Sequence, residues 1–224
     1  MTATTCYCCE RPSVGKGDHV PPIKFFPKNS FSKTKPIKVP SCAEHNENAS
    51  QLDEYLKFIL AAGSSAAPKE VVESASRGLV RLIKKESRTL REFGVCRVAD
   101  EVFVDKSAPL KQDLLIASLK KIARGVYFHH TWHKRKLTTA LDVWPIFLGS
   151  DPGATEIQRQ YISEIASYTL QDLKEKETFG VDKNIFYYQV IESSELVVIN
   201  LVFFTDMIVS VMSSNSSEPY AGRA

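Results

Sequence analysis

The sequence predicts an α+β fold in two units, a small N-terminal ββα unit over residues 1–63 and a larger α+β unit over residues 64–224. Three observations carry this. Soft ligands sit in two short-spaced pairs within the first 45 residues, Cys6/Cys9 and Cys42/His45. Apolar residues then recur at helical spacing through the middle of the chain. After residue 185 they gather into short apolar runs of strand length.

The first unit is built on its ligand pairs. Cys6-x-x-Cys9 and Cys42-x-x-His45 together supply four N/S donors, the number and type that close a tetrahedral zinc site. Cys8 is an alternative to Cys9, at poorer spacing. Residues 11–18, with Pro12, Gly15 and Gly17, are turn-rich and lead into a short strand at Asp18-His19-Val20. Pro21-Pro22 forbids a helix there, because the ring fixes φ and pushes the preceding residue toward extended geometry. Residues 23–26 are expected to pack on the zinc unit, and residues 28–38 form a polar, basic loop that is either plain surface or a phosphate-facing segment. Ser50, with Asp53 three residues on, is a candidate N-cap for a helix carrying Leu52, Tyr55, Leu56, Ile59 and Leu60 and stopping near Gly63.

In the second unit the spacing predicts a helix over 68–93 with a basic outer face from Arg77 to Arg91, and a strand over 102–104. A helix over 109–127, a strand over 144–148 and a helix over 154–175 follow. Strands are expected over 185–191, 196–204 and 207–212, with a frayed tail from Ser213. A basic cluster containing Lys134, Arg135 and Lys136, interleaved with Tyr127, Phe128 and Trp132, is a nucleic-acid surface or a solvated charge run.

Composition narrows the classes. Hydrophobic residues at 43% and charged residues at 25% are those of a globular chain and argue against wholesale disorder. The net charge of +3 is small, but residues 1–42 hold seven Lys or Arg against two acids, which suits a polyanion. Three of the five cysteines fall within residues 6–9, a clustering that fits metal binding better than a disulfide framework and makes a reducing cytoplasm the expected location. No basic segment followed by an apolar h-region opens the chain, and the apolar run over 196–211 is broken by Asn200, Thr205 and Asp206, so no membrane span is expected. Cys96 is expected in the core.

Taken in order, Cys6-x-x-Cys9, Asp18-His19-Val20-Pro21-Pro22 and Val39-Pro40-Ser41-Cys42-x-x-His45-Asn46 resemble the HNH endonuclease family, over about a quarter of the chain. That resemblance implies a ββα-metal fold and an enzyme cutting phosphodiester bonds, with DNA the expected substrate. His19 would be the general base and Asp18 a ligand of a catalytic Mg²⁺ or Mn²⁺. Asn46 would be a second ligand of that ion or a capping residue, and Glu54 a further ligand or a helix-surface acid. Cys6, Cys9, Cys42 and His45 would hold a structural zinc. The family's middle position, commonly asparagine, falls near Lys35, and its second pair commonly ends in cysteine where this chain has His45.

The chemistry is coherent without the family name. Hydrolysis of a phosphodiester needs a water made nucleophilic and a cation to offset the phosphate charge. Neighbouring side chains in an extended segment face opposite ways, so Asp18 and His19 serve one centre only where the backbone turns. Lys28, Lys35 and Lys38, together with Lys134, Arg135 and Lys136, are the expected contacts to nucleic acid, and the second unit is expected to bind substrate or a protein partner. The same residues also fit a catalytically inactive, zinc-braced nucleic-acid or protein binding module within a larger assembly.

Overall fold

A computed structural model describes residues 5–15, 17–28, 30–31, 35–47, 49–85, 95–98, 101–104, 112–148 and 155–214. It is α+β. Strands β1 (Asp18–His19) and β2 (Lys38–Val39) pair antiparallel, with His19 opposite Lys38, and are followed by helices α1 (Ala43–Glu47) and α2 (Ala49–Gly63). The first unit therefore has the expected ββα order. Ser50 lies inside α2 and not at its cap.

Helix α3 (Lys69–Lys85) lies beside α2, and Gly78 permits the close approach: a Cβ there would fall 2.0 Å from a Glu54 carboxylate oxygen. The rest of the expected 68–93 helix lies outside the described residues. A hairpin of β3 (Val95–Val98) and β4 (Glu101–Val104) follows; β4 matches the expected strand and β3 was not anticipated. The side chain of Cys96 lies outside the described residues.

Helix α4 (Gln112–His130) is the spine of the molecule. Its buried residues Leu115, Leu119, Ile122, Ala123 and Val126 recur at three- and four-residue intervals, the spacing that gives one helix a continuous apolar face. Val20, just past β1, seats on Gly125 so closely that a Cβ would fall 2.6 Å from its Cγ2. Residues of both units, among them Tyr7, Phe25, Leu56, Leu119, Phe186 and Leu201, belong to one apolar cluster. Phe25 reaches Phe203 with ring centroids 5.8 Å apart, so the 23–26 segment packs on the C-terminal sheet.

That sheet has five antiparallel strands in the order β5-β9-β8-β7-β6: β5 (Leu141–Pro145), β6 (Phe179–Asp182), β7 (Phe186–Glu192), β8 (Leu196–Phe203) and β9 (Met207–Ser214). The expected 144–148 strand starts earlier, and Ile146–Leu148 is a 3₁₀ turn. Along β8, Val197, Ile199, Leu201 and Phe203 are buried on one face. The opposite face buries Asn200, in register with Gln189 on β7 and Ser210 on β9. Asn200 Nδ2 donates to Gln189 Oε1 at 3.0 Å, and Gln189 Nε2 donates to the Asp172 and Lys176 carbonyls at 2.8 and 3.2 Å. This polar row satisfies carbonyls at the C-terminal end of helix α5 (Glu156–Glu175) and holds the helix to the sheet. Its N-terminus is fixed by a Thr155/Gln158 capping box.

No helix among the described residues is long and apolar enough to cross a membrane. The apolar 196–211 run is the β8–β9 hairpin.

Candidate functional site

The four candidate metal ligands come from the N-terminal knuckle and the start of α1, which the fold brings together. The N-terminal knuckle is closed by the Cys6 N–H donating to the Arg11 carbonyl at 2.9 Å, and the Tyr7 N–H donates to the Pro40 carbonyl at 2.9 Å, placing it beside the start of α1. The ligating atoms of Cys6, Cys9, Cys42 and His45 all lie within 4.8 Å of one another. His45 Nδ1 is 3.1, 3.6 and 3.7 Å from the Cys42, Cys6 and Cys9 sulfurs, and the Cys9 and Cys42 sulfurs are 3.8 Å apart. Zn–S and Zn–N bonds of tetrahedral geometry imply edges of about 3.5–3.8 Å, and three of these four distances match, so the group could hold one metal ion and is compatible with zinc. Burial works against the Cys42 thiolate, but hydrogen bonds from the His45 backbone and ring, with others to Cys9 and Cys6, outweigh it and hold the thiol down to about 7. Cys8 stands outside the cluster, and burial pushes its thiol up to about 12.

Asp18 and His19 part company at β1. Asp18 turns inward, accepts a hydrogen bond from the Tyr7 hydroxyl at 3.3 Å, and lies 2.8 Å from the Lys121 ammonium on α4. Asp53 of α2 is 3.8 Å from the same ammonium. Burial raises the Asp53 carboxyl to about 6, with Lys121 opposing that rise and Asp18 adding to it. His19 is half-buried across the strand pair from exposed Lys38. Burial, then the Lys38 charge, lowers its imidazole below the ordinary histidine value, against a weaker upward pull from Asp18.

Asn46 is half-buried on α1, its backbone N–H donating to the Cys42 carbonyl at 3.0 Å. Glu54 is drawn to Lys24 at 2.7 Å. Lys28, Lys35, Lys38 and Lys134 are exposed. Lys136 is not a surface contact: its side chain is 3% exposed, and Nζ donates to Thr5 Oγ1 at 2.9 Å and the Cys9 carbonyl at 3.0 Å and pairs with Glu10 at 3.2 Å. It braces the Cys6–Cys9 knuckle, because a buried ammonium has to be surrounded by acceptors. Arg135 pairs with Glu192 and lies over the Tyr127 ring, 5.6 Å from its centre.

The aromatic residues near the basic cluster divide in the same way. Tyr127 and Phe128 are core residues, and His130 meets the Phe179 ring edge-on at 4.9 Å. Trp132 alone projects, 85% exposed, on left-handed backbone with φ 56°, followed by His133 at φ 64°. The His133 ring stacks on Phe128 with centroids 5.0 Å apart, and its N–H donates to the Phe128 carbonyl at 2.9 Å.

No protein-family model, curated protein or solved structure matches this chain.

Lys121 and Asp53 escaped the sequence reading as site residues. In the sequence Asp53 stands out only as a helix-start acid, and Lys121 lies within a helical segment with nothing to pair it to Asp18 or Asp53. Their meeting depends on the long-range packing of α2 and α4.

Proposed function

We propose that the protein hydrolyses phosphodiester bonds of nucleic acid, with DNA as substrate, as an endonuclease of the HNH kind with His19 as general base. The observation that carries this reading is the His19 imidazole, half-buried on the short β1–β2 strand pair opposite Lys38 and biased toward its neutral form by burial and by the Lys38 charge. A general base has to be free to accept a proton at the working pH, and a lowered basicity keeps it so. Exposed Lys28, Lys35 and Lys38 on the same side of the sequence supply attraction for a phosphate backbone. The zinc assignment is structural: four donors leave no open coordination position.

A Mg²⁺ or Mn²⁺ ion at Asp18 and Asn46 would offset charge on the phosphate and leaving oxygen. Asp18 does not fit that duty in this arrangement, since its carboxylate already faces the Lys121 ammonium. The same contact favours a second reading, in which the zinc-braced unit binds nucleic acid or protein without cutting it. For a protein partner, the outward face of α5 offers exposed Ile157, Tyr161 and Tyr168.

Purified protein incubated with single- and double-stranded DNA and RNA, with Mg²⁺, with Mn²⁺ and with chelator, separates the readings. Cleavage that is lost in His19→Ala supports the hydrolase. Binding by an inactive parent supports the module.

A further inference from the structure

A second site lies on the other side of α2. The segment around Phe26, α2 and α3 line an open cleft of about 220 Å³. At its wall is Lys57, only 3% exposed, whose Nζ donates to Ser74 Oγ at 2.7 Å. Lysine is rarely buried at all, and here its ammonium lines a cleft along with Lys24, Lys28 and Arg77. The lining acids are Glu54 and Glu70, and Glu73 stands 3.8 Å from the Arg77 guanidinium, so four cations face three carboxylates and a net positive charge of one remains. Both lining acids have partners: Glu54 takes Lys24 at 2.7 Å, and Glu70 accepts the Lys28 backbone N–H at 3.1 Å. Four cations drawn from three separate segments are an assembly made by the fold, unlike a charge run on one exposed helix face.

The size and chemistry of the cleft select its ligand. Ammonium, guanidinium and hydroxyl donors with a net positive charge suit an oxyanion, and a fork-shaped guanidinium suits phosphate in particular. Apolar Phe26 and Val71 form part of the wall beside buried Lys57, whereas Lys24, Lys28 and Arg77 stand toward solvent. Cavities that enclose a whole drug-sized ligand run to about 300 Å³ and above, so this cleft takes a single phosphate group rather than an entire nucleotide. Consecutive residues of α2 tie the two sites together: Asp53 faces Lys121 and Asp18, while Glu54 faces Lys24 and the cleft.

We propose that this cleft is a phosphate site that holds one backbone phosphate of a bound nucleic-acid strand, apart from the bond to be cut. The choice of a strand over free phosphate rests on the nucleic-acid reading above; the phosphate site itself rests on the cleft alone.

The test uses the full-length, zinc-loaded protein with two probes, inorganic phosphate followed by NMR and a fluorescent single-stranded oligodeoxynucleotide followed by anisotropy over a salt series. Phosphate is expected to shift the resonances of Lys57 and Ser74. Arg77→Ala, at a side chain 68% exposed and so safe for folding, is expected to weaken phosphate binding about tenfold and to reduce the oligonucleotide salt slope by about one. Lys28→Ala is expected to act in the same direction; Lys57→Gln is informative only where its fold is shown to be intact. Phosphate that leaves Lys57 and Ser74 unmoved overturns the site. Phosphate binding with an oligonucleotide affinity indifferent to Arg77→Ala overturns the strand assignment. Cleft-dependent strand binding by a parent protein that cuts nothing upholds this proposal while removing the hydrolase reading.

Discussion

His19 and Asp18 are neighbours in sequence with different surroundings, and their substitutions are expected to differ accordingly. His19→Ala should reduce any cleavage by about 10²- to 10⁴-fold while zinc content and nucleic-acid affinity stay near those of the parent, because a general base acts in the transition state. Asp18→Ala leaves Tyr7 without this acceptor and Lys121 with the more distant Asp53, and should instead destabilise the protein, by about 1–3 kcal/mol in a urea titration. The lysines divide as well. Lys134→Glu should weaken nucleic-acid binding with little change in stability, whereas Lys136→Ala should loosen the Cys6–Cys9 knuckle, read as faster zinc loss to a chelator. Sequence gave both lysines the same standing; only the route of the chain past Cys9 distinguishes them.

At the scale of elements, the long periodic segments were legible, and of the short ones β1 and β4 were while β3 and β6 were not. Helices α2, α4 and α5 lie within a few residues of their expected bounds, since each has three or more turns of repeating apolar residues or a strong capping signal. Strands β3 and β6 have four residues each, too few to establish alternation, and β6 has a register shift between Gly180 and Asp182. One loop contact yields a pH prediction. Burial disfavours the Asp206 carboxylate, but hydrogen bonds from Ser64, Ser65 and the Ala66 backbone outweigh it and hold the carboxyl below its ordinary value. Its contribution is therefore present above the ordinary aspartate range and is lost as pH falls through the lowered value. Asp206→Asn should be less stable than the parent by about 1 kcal/mol at pH 7, and the two urea midpoints should converge in strong acid.

For the whole molecule, the four-ligand cluster and the seat of Val20 on α4 are ties that hold the N-terminal unit. Chelation should remove about one zinc per chain, measured by elemental analysis, and should unfold the knuckle, since binding free energy at such sites is folding free energy. Gly125→Ala should cost about 1–3 kcal/mol by driving Val20 off α4. The ligand quartet was legible because its spacing is local within each pair. The Asp18–Lys121–Asp53 meeting and the Lys57 cleft were not, because each joins residues whose approach is decided by how helices pack.

The exposed indole at the end of α4 also gives the protein a built-in optical reporter. The chain has two tryptophans, Trp132 in solvent and Trp144 half-buried on β5. Acrylamide should therefore quench one emitting population far more readily than the other, and replacing Trp132 by Phe should remove the accessible one. A base stacked on that ring would shield it, so the unlabelled protein can report, from its own emission, whether a strand passes the end of this helix.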